Sequence, residues 1–247
     1  MQIAPPFGYK EIVPLNRGQK IRLLAPGEIP EFARALNAVP ISYSEFALVA
    51  SEYPIVFTAS AGDAKAYSAV AALGLENGEN LYNRANRWAE GVYVPAYVRR
   101  FPFCMSRVTI DKVEQKNRLV CVEKSHIDDS AGESLFDAKG EPTEKWKTIE
   151  QLLTEYEADL GRSQEMCGIL GDYGLFEPFT MQAKINNGGG PMAMTGMFRI
   201  AEQKIEHLNA AQLKNLVKKG ILSRVYAHLL SMNNFAHLLD RKAAKAA

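Results

Sequence analysis

The chain has 247 residues, of which 47% are hydrophobic and 23% are charged. This is an ordinary globular composition, and it argues against disorder along the whole chain. The formal net charge of +1 is not the basic excess that is typical of nucleic-acid-binding proteins, so we expect no nucleic-acid partner.

No targeting or membrane-spanning segment is predicted. Residues 1–10 do not combine a basic start with an apolar run, as a standard secretory signal does. No stretch approaches the roughly 20 apolar residues that a membrane-spanning helix needs. Even the most apolar window, 55–75, contains Asp63 and Lys65. We therefore expect a cytoplasmic protein without membrane insertion.

The three cysteines, Cys104, Cys121 and Cys167, are far apart in the sequence. An odd number without paired spacing is not typical of a disulfide framework or of a zinc site. They are expected to be buried, reduced thiols.

The N-terminal half is predicted to be rich in strands. Proline and glycine are frequent at its start, around a short strand at 20–24. Ser42 or Ser44 can cap a short helix over 45–50, and Pro54 disfavours its continuation. Further strands are expected at 55–58, 66–73, 103–110 and 118–124.

Helical periodicity begins after Pro142. Asn209 is expected to cap one of the helices, and Gly220 to end it. The predicted helices are 143–160, 163–170, 210–219 and 221–241. Strands are expected at 179–185 and 197–205, on either side of a glycine-rich loop.

Together these patterns predict an α+β fold, with a strand-rich N-terminal part packed against a helix-rich C-terminal part. No repeat or long linker divides the chain. We expect one domain over 1–247, or two closely packed lobes, 1–140 and 141–247.

Several segments resemble the SapC family of bacterial proteins. The most specific is the string Val-Pro-Ala-Tyr-Val-Arg-Arg-Phe-Pro-Phe at 94–103, which follows Trp88. Shorter similar segments occur in the same order along almost the whole chain, at 13–15, 40–46, 53–57, 73–75, 135–137 and 226–229. Gln19 departs from the pattern, since a histidine is expected there.

The family name is associated with surface-layer gene clusters, and members often carry a peptide-transport label. Because neither an export signal nor membrane spans are predicted, the resemblance implies a soluble accessory protein linked to the cell envelope or to nutrient uptake. It carries over no catalytic residues. We expect no cofactor, and a binding role is favoured over an enzymatic one.

The segment 88–103 is the first candidate site. It combines Trp88, Tyr93 and Tyr97 with the adjacent Arg99 and Arg100. Arginine forks suit carboxylates or phosphates, and aromatic rings suit sugars or planar ligands. The segment is therefore a candidate site for a small anionic or carbohydrate ligand, or for a protein partner. The alternative is a structural hub in which the arginines pair with internal carboxylates.

The last predicted helix carries a second set of candidates. Ser231 and Asn234 interrupt its apolar stripe, and they can line a pocket or bond to neighbouring loops. His228 and His237 are nine residues apart, which places them on opposite faces of a straight helix and excludes a shared metal.

His126 and Asp128, with His207 far downstream, have the order of the iron-binding triad of oxygenases that use 2-oxoglutarate. That activity requires a jelly roll of about eight strands, more than this sequence offers. The alternative is a surface histidine beside solvated acids, and we expect no metal.

The glycine-rich stretch 187–191 lacks the Gly-Lys-Ser/Thr that follows in a phosphate-binding loop, so we interpret it as a mobile hairpin loop. The leading hypothesis is a non-catalytic accessory or binding protein. The alternatives are the metal-dependent oxygenase and a self-assembling surface-layer component.

Overall fold

The computed structural model describes residues 4–60, 63–106, 109–110, 113–114, 118–184 and 191–246. The strands are β1 (Ile12–Pro14), β2 (Lys20–Ile21), β3 (Ala38–Pro40), β4 (Ile55–Ser60), β5 (Asp63–Ala72), β6 (Asn83–Arg84), β7 (Arg87–Trp88), β8 (Phe103–Ser106), β9 (Thr109–Ile110), β10 (Val113–Glu114), β11 (Leu119–Glu123), β12 (Glu133–Ser134), β13 (Phe176–Lys184) and β14 (Pro191–Ile200). Of the predicted glycine-rich loop 187–191, residues 187–190 lie outside the described residues, and Pro191 begins β14.

The α-helices are α1 (Phe46–Ala50), α2 (Ala96–Arg99), α3 (Glu144–Asp172), α4 (Glu202–Ile205), α5 (Ala210–Lys218), α6 (Ile221–Ser231) and α7 (Phe235–Ala246). Short 3₁₀ helices occupy Glu31–Ala35, Tyr43–Glu45, Lys124–His126 and Met232–Asn234. The predicted α+β class is confirmed. Among the described helices, none is both long and apolar enough to cross a bilayer.

A five-stranded antiparallel sheet in the order β13-β14-β4-β5-β3 forms the larger layer. Its strands come from both sides of residue 140, because β14 pairs with β4 through Phe198 opposite Phe57. The alternating residues Ile55 and Phe57 of β4 are fully buried. The predicted halves of the chain therefore share one sheet.

A smaller three-stranded sheet has the order β1-β11-β8. Cys121 of β11 lies directly opposite Cys104 of β8. All three cysteines are free and buried, as the sequence predicted. Burial raises the pKa of the Cys104 thiol to about 12 and that of Cys121 to about 11, so both thiols stay protonated near neutral pH.

Helix α3 joins the two layers. Trp146 and Leu153 in its first half pack with Phe103 and Val122 of the small sheet. Further along the helix, residues such as Met166 belong to the main core, which includes the large sheet. A single helix thus fixes one sheet relative to the other.

The prediction of two helices at 143–160 and 163–170 is wrong, because α3 is continuous. Gly161 lies between the two predicted segments, and a glycine inside a helix costs only about 1 kcal/mol relative to alanine. Tyr156, Met166 and Leu170 remain buried on one side of the helix, and this packing outweighs the glycine.

Two other boundaries also differ from the predictions. The strand expected at 197–205 ends at Ile200, and α4 follows it. The helix expected over 221–241 is interrupted by the 3₁₀ turn Met232–Asn234. There the Asn234 side-chain amide donates to the carbonyl oxygens of Ala50 and Tyr53, at 2.8 and 3.2 Å. The cap predicted at Asn209 is confirmed by a capping box at the start of α5. Ser42 also forms a capping box, but it caps the 3₁₀ helix Tyr43–Glu45, which precedes α1.

His228 of α6 ties this helix to two strands of the large sheet. Its Nδ1 donates to the Ile55 carbonyl at 2.8 Å, and its Nε2 accepts from the Ile200 amide at 3.1 Å. The side chain is fully buried, and burial lowers the pKa of His228 to about 4. Protonation would remove the Nε2 acceptor and place a charge in the core.

The stability of the fold should therefore depend on pH through His228. The unfolded chain takes up a proton below about pH 6.5 and the folded chain does not. Between pH 6.5 and 4 we expect the wild type to lose about 3 kcal/mol of unfolding free energy from this residue. Urea titrations of the wild type and of His228→Gln measure the loss. The variant should be less stable at pH 7 but should show a shallower decline, and parallel pH profiles would contradict this role.

Candidate functional site

The segment 88–103 is positioned by the buried carboxylate of Glu45, which is 4% exposed. Its Oε2 accepts from the Ser42 amide at 2.8 Å and the Ser42 hydroxyl at 2.7 Å. Its Oε1 accepts from the Tyr93 hydroxyl at 3.0 Å and the Ala96 amide at 2.6 Å. Charge-assisted bonds of this kind are short and strong, so they hold the start of α2 against the core.

Helix α2 begins directly after Pro95. Pro95 occupies the N-cap with φ of −55° and precedes the four helical residues. Its fixed φ suits a helix start. Arg99 ends the helix and Arg100 follows as the C-cap, which sends the two arginine side chains to different surroundings.

Arg99 is exposed, and its hydrogen bonds are local. Its Nε donates to the Val94 carbonyl at 2.8 Å, and a terminal nitrogen donates to the Tyr93 hydroxyl at 2.8 Å. Its Cζ lies 5.1 Å from the centre of the Tyr93 ring. Arg99 is thus held against the surface of its own segment.

Arg100 is only 5% exposed. Its Cζ lies 4.3, 4.8 and 5.7 Å from the ring centres of Tyr97, Tyr156 and Tyr9. It forms no ion pair with a carboxylate of the described residues, and its Nε has no hydrogen-bond partner. The expected pairing of both arginines with internal carboxylates is therefore not what the structure contains.

The three tyrosines cannot neutralise Arg100. Burial raises the pKa of Tyr9 and of Tyr156 well above the usual range for a phenol. The Tyr9 hydroxyl donates to the Phe103 carbonyl at 2.7 Å, and the Tyr97 hydroxyl donates to the Phe7 carbonyl at 2.7 Å. The rings offer Arg100 their faces rather than a counter-charge.

Arg100 also lies on the wall of a cavity of about 380 Å³, which we name the Arg100 pocket. Its charged wall residues are Glu28, Arg99 and Arg100. Most of the remaining wall is apolar and comes from residues 23–28, the segment 88–103 and the first half of α3. It includes Leu23, Leu24, Trp88, Val94, Val98, Phe101, Phe103, Ile149 and Leu152.

The aromatic candidates divide between this pocket and its support. Trp88 lines the pocket, and its indole nitrogen donates to the Tyr53 hydroxyl at 2.9 Å. Tyr97 supports Arg100, and Tyr93 links Arg99 to Glu45. Neither Tyr93 nor Tyr97 is among the residues that line the pocket.

Ser231 and Asn234 lie apart from this pocket and bond to backbone groups. The Ser231 hydroxyl donates to the His228 carbonyl at 2.6 Å and accepts from the Ile55 amide at 2.9 Å. Asn234 donates to two carbonyls at the end of α1, as described above. These contacts correspond to the structural alternative for both residues.

The structure does not assemble the proposed iron triad. His126 is buried, whereas His207 is exposed after α4. The carboxylate of Asp128 caps its own turn, accepting from Ser130 and Ala131. Within the described part of the chain, no three histidine, cysteine or acidic side chains are grouped to hold a metal ion.

His126 is not the surface histidine that its polar neighbours suggested. Its Nδ1 donates to the Arg22 carbonyl at 2.7 Å, and its Nε2 accepts from the Arg22 guanidinium at 2.9 Å. Burial lowers its pKa, in keeping with a neutral ring. Both residues line a second, more polar cavity of about 430 Å³ that shares Leu24, Glu28 and Phe101 with the Arg100 pocket.

Sequence reasoning missed one part of the pocket wall and two residues that support the pocket from outside it. Ile149 and Leu152 lie within the predicted helix 143–160, but nothing in the sequence linked that helix to the segment 88–103. Tyr9 comes from the proline-rich N-terminus, where no pattern indicated a contact with Arg100. Glu45 could have been recognised from the Ser-x-x-Glu spacing of a capping box, although that spacing does not indicate its bond to Ala96.

The fold and the pocket together define an α+β protein with an apolar cavity beside a buried arginine. A family model described as SapC matches residues 20–238. The chain therefore belongs to the SapC family, as its sequence indicated. No curated protein and no solved structure matches the chain.

Replacing the Glu45 carboxylate should weaken the attachment of the segment 88–103 to the core and so destabilise the protein. We expect Glu45→Gln to lower the unfolding free energy by about 2–3 kcal/mol, because the amide can accept on one side only and opposes donors with its own N–H groups. Chemical denaturation measures the change. Glu150→Gln, at an exposed position of α3, is the matched control and should leave stability unchanged. Equal stability of the two variants would show that Glu45 does not anchor α2.

Proposed function

We propose that this protein is a non-catalytic binding protein that holds a small anionic ligand in the Arg100 pocket, and that it acts as an accessory in cell-envelope or nutrient-uptake processes. One observation carries the ligand class. A buried arginine that has no carboxylate partner among the residues the structure describes lies on the wall of an otherwise mainly apolar cavity. The envelope and uptake roles rest on family association alone.

The energetic argument starts from the cost of burying the charge. Removing a cation from water costs several kcal/mol after relaxation. A desolvated cation–π contact returns about 2 kcal/mol at a good geometry. Among the described aromatic rings, only those of Tyr97 and Tyr156 have centres within 5 Å of the Arg100 Cζ. An anion in the pocket would offset the remaining cost and would supply an acceptor.

The composition of the wall favours an anion over a carbohydrate. A sugar presents many hydroxyl groups, and each one needs a hydrogen-bond partner when it is buried. Here the charged side chains are confined to Glu28, Arg99 and Arg100. The described wall has no serine, cysteine or histidine that could form a nucleophile–base pair, which supports binding rather than catalysis.

A thermal-unfolding comparison tests the anion. Sodium acetate should raise the Tm above that in sodium chloride at equal ionic strength, because a carboxylate can accept two bonds from a guanidinium. At ten times the dissociation constant, we expect a shift of about 3–6 °C. Arg100→Gln should abolish the difference between the two salts. Arg84→Gln, an exposed arginine of β6, should retain it.

Identical melting in acetate and chloride would count against the anion site. So would an acetate effect that survives Arg100→Gln in a protein whose near-ultraviolet circular dichroism matches the wild type. If Arg100→Gln does not fold, Arg99→Gln becomes the test. Because the charged Arg99 lines the same pocket, its neutralisation should weaken the acetate effect, and an unchanged effect contradicts the proposal.

A further inference from the structure

We infer that the ligand of the Arg100 pocket is an amphipathic monocarboxylate, with one carboxylate at Arg100 and an apolar body of about a dozen non-hydrogen atoms. This inference rests on the proposed function and names its ligand class. Charge, wall chemistry and volume support it separately.

The charge of the site fits a monoanion. Arg100 is the buried cation, whereas Arg99 is exposed and already bonded to Val94 and Tyr93. Glu28 places a carboxylate on the same wall, where its Oε2 accepts from the Ala25 amide at 2.9 Å. A phosphate monoester, with nearly two charges and several acceptor oxygens, would face this carboxylate with Arg100 as the one buried cation of the described wall.

The wall fits an apolar body. Leu24, Val98 and Leu152 approach the cavity from three separate parts of the chain, and Trp88 and Phe103 add aromatic surface. Apolar surface that leaves water for such a wall contributes about 25 cal/mol per Å². An inorganic anion would leave this surface unused.

The volume sets the size of the ligand. A cavity of about 380 Å³ holds roughly a dozen non-hydrogen atoms at the roughly 30 Å³ that each water occupies in the liquid. Decanoate has this size, and so does a bicyclic aromatic carboxylate such as indole-3-acetate. The shared chemistry is one carboxylate on an apolar body, and the two probes distinguish an aliphatic from an aromatic source.

The fluorescence of Trp88 can report binding in the Arg100 pocket. It has two tryptophans, and one of them, Trp88, lines the pocket. Trp146→Phe leaves Trp88 as the only indole and keeps an aromatic ring against Phe103 and Phe136. Titration of this variant with decanoate should change the Trp88 emission, and calorimetry on the wild type should give the same dissociation constant.

A series of ligands then distinguishes the contribution of the carboxylate from that of the apolar chain. From hexanoate to decanoate, each added methylene should tighten binding about fourfold, and hexadecanoate should gain nothing further because the cavity is full. Decanol should bind at least tenfold more weakly than decanoate, and decyltrimethylammonium should not bind. Tightening that continues to hexadecanoate, or equal binding of decanol, would overturn the inference.

Two variants test the pocket itself. Arg100→Gln should weaken decanoate about 10- to 100-fold and leave decanol unchanged. Ile149→Trp fills the cavity from α3, so calorimetry should detect no decanoate binding, and it remains informative if Arg100→Gln fails to fold. Decanoate binding that is unaffected by Ile149→Trp would place the ligand elsewhere and refute the inference.

The two proposals fail differently. If acetate stabilises the wild type through Arg100 but decanoate binds no more tightly than acetate, the anion site stands and the amphipathic ligand is wrong. If neither acetate nor decanoate nor indole-3-acetate binds, both proposals are wrong. If indole-3-acetate binds and decanoate does not, the aliphatic source is excluded and the ligand is an aromatic carboxylate.

Discussion

The carboxylate of Glu45 is the interaction on which the candidate site depends. It collects donors from the turn before α1 and from the start of α2, so that two parts of the chain about 50 residues apart are fixed to one buried group. Because α2 has only four residues, its own hydrogen bonds cannot determine its position. The bond to the Ala96 amide does so, and the placement of Arg99 and Arg100 follows from it.

Once α2 is fixed, the two adjacent arginines experience opposite environments. Arg99 remains in water, where its contacts contribute little and its charge is hydrated. Arg100 is surrounded by tyrosines whose hydroxyl groups are directed to backbone carbonyls, as those of Tyr9 and Tyr97 are. This arrangement keeps a charge in the interior without cancelling it. A purely structural hub would be expected to hold a counter-ion or an apolar residue there, since an uncompensated buried charge destabilises the fold.

The sequence predicted those parts of the structure that depend on local chemistry. The cap at Asn209, the helix end at Gly220 and the strand at Ile55 all follow from neighbouring residues. The continuity of α3 and the interruption at Asn234 were missed because both depend on distant partners. Likewise, segment 88–103 could be nominated as a site from its residue types, but the cavity needs walls from α3 and from residues 23–28, which no local pattern connects to it.

The short length of β2 leaves the residues that follow it free to line the Arg100 pocket. A strand over 20–24 was expected, but β12 offers only Glu133 and Ser134 as partners, and pairing in that ladder stops at Ile21. The following residues leave the ladder while Arg22 remains tied to His126. Leu23 and Leu24, released from strand pairing, become wall residues, and Leu24 belongs to both cavities. Residues 22–28 therefore lie between the two cavities, and the hydrogen bonds between Arg22 and His126 fix the start of this segment. Because Leu24 and Glu28 line both cavities, the course of residues 22–28 sets part of the wall of each.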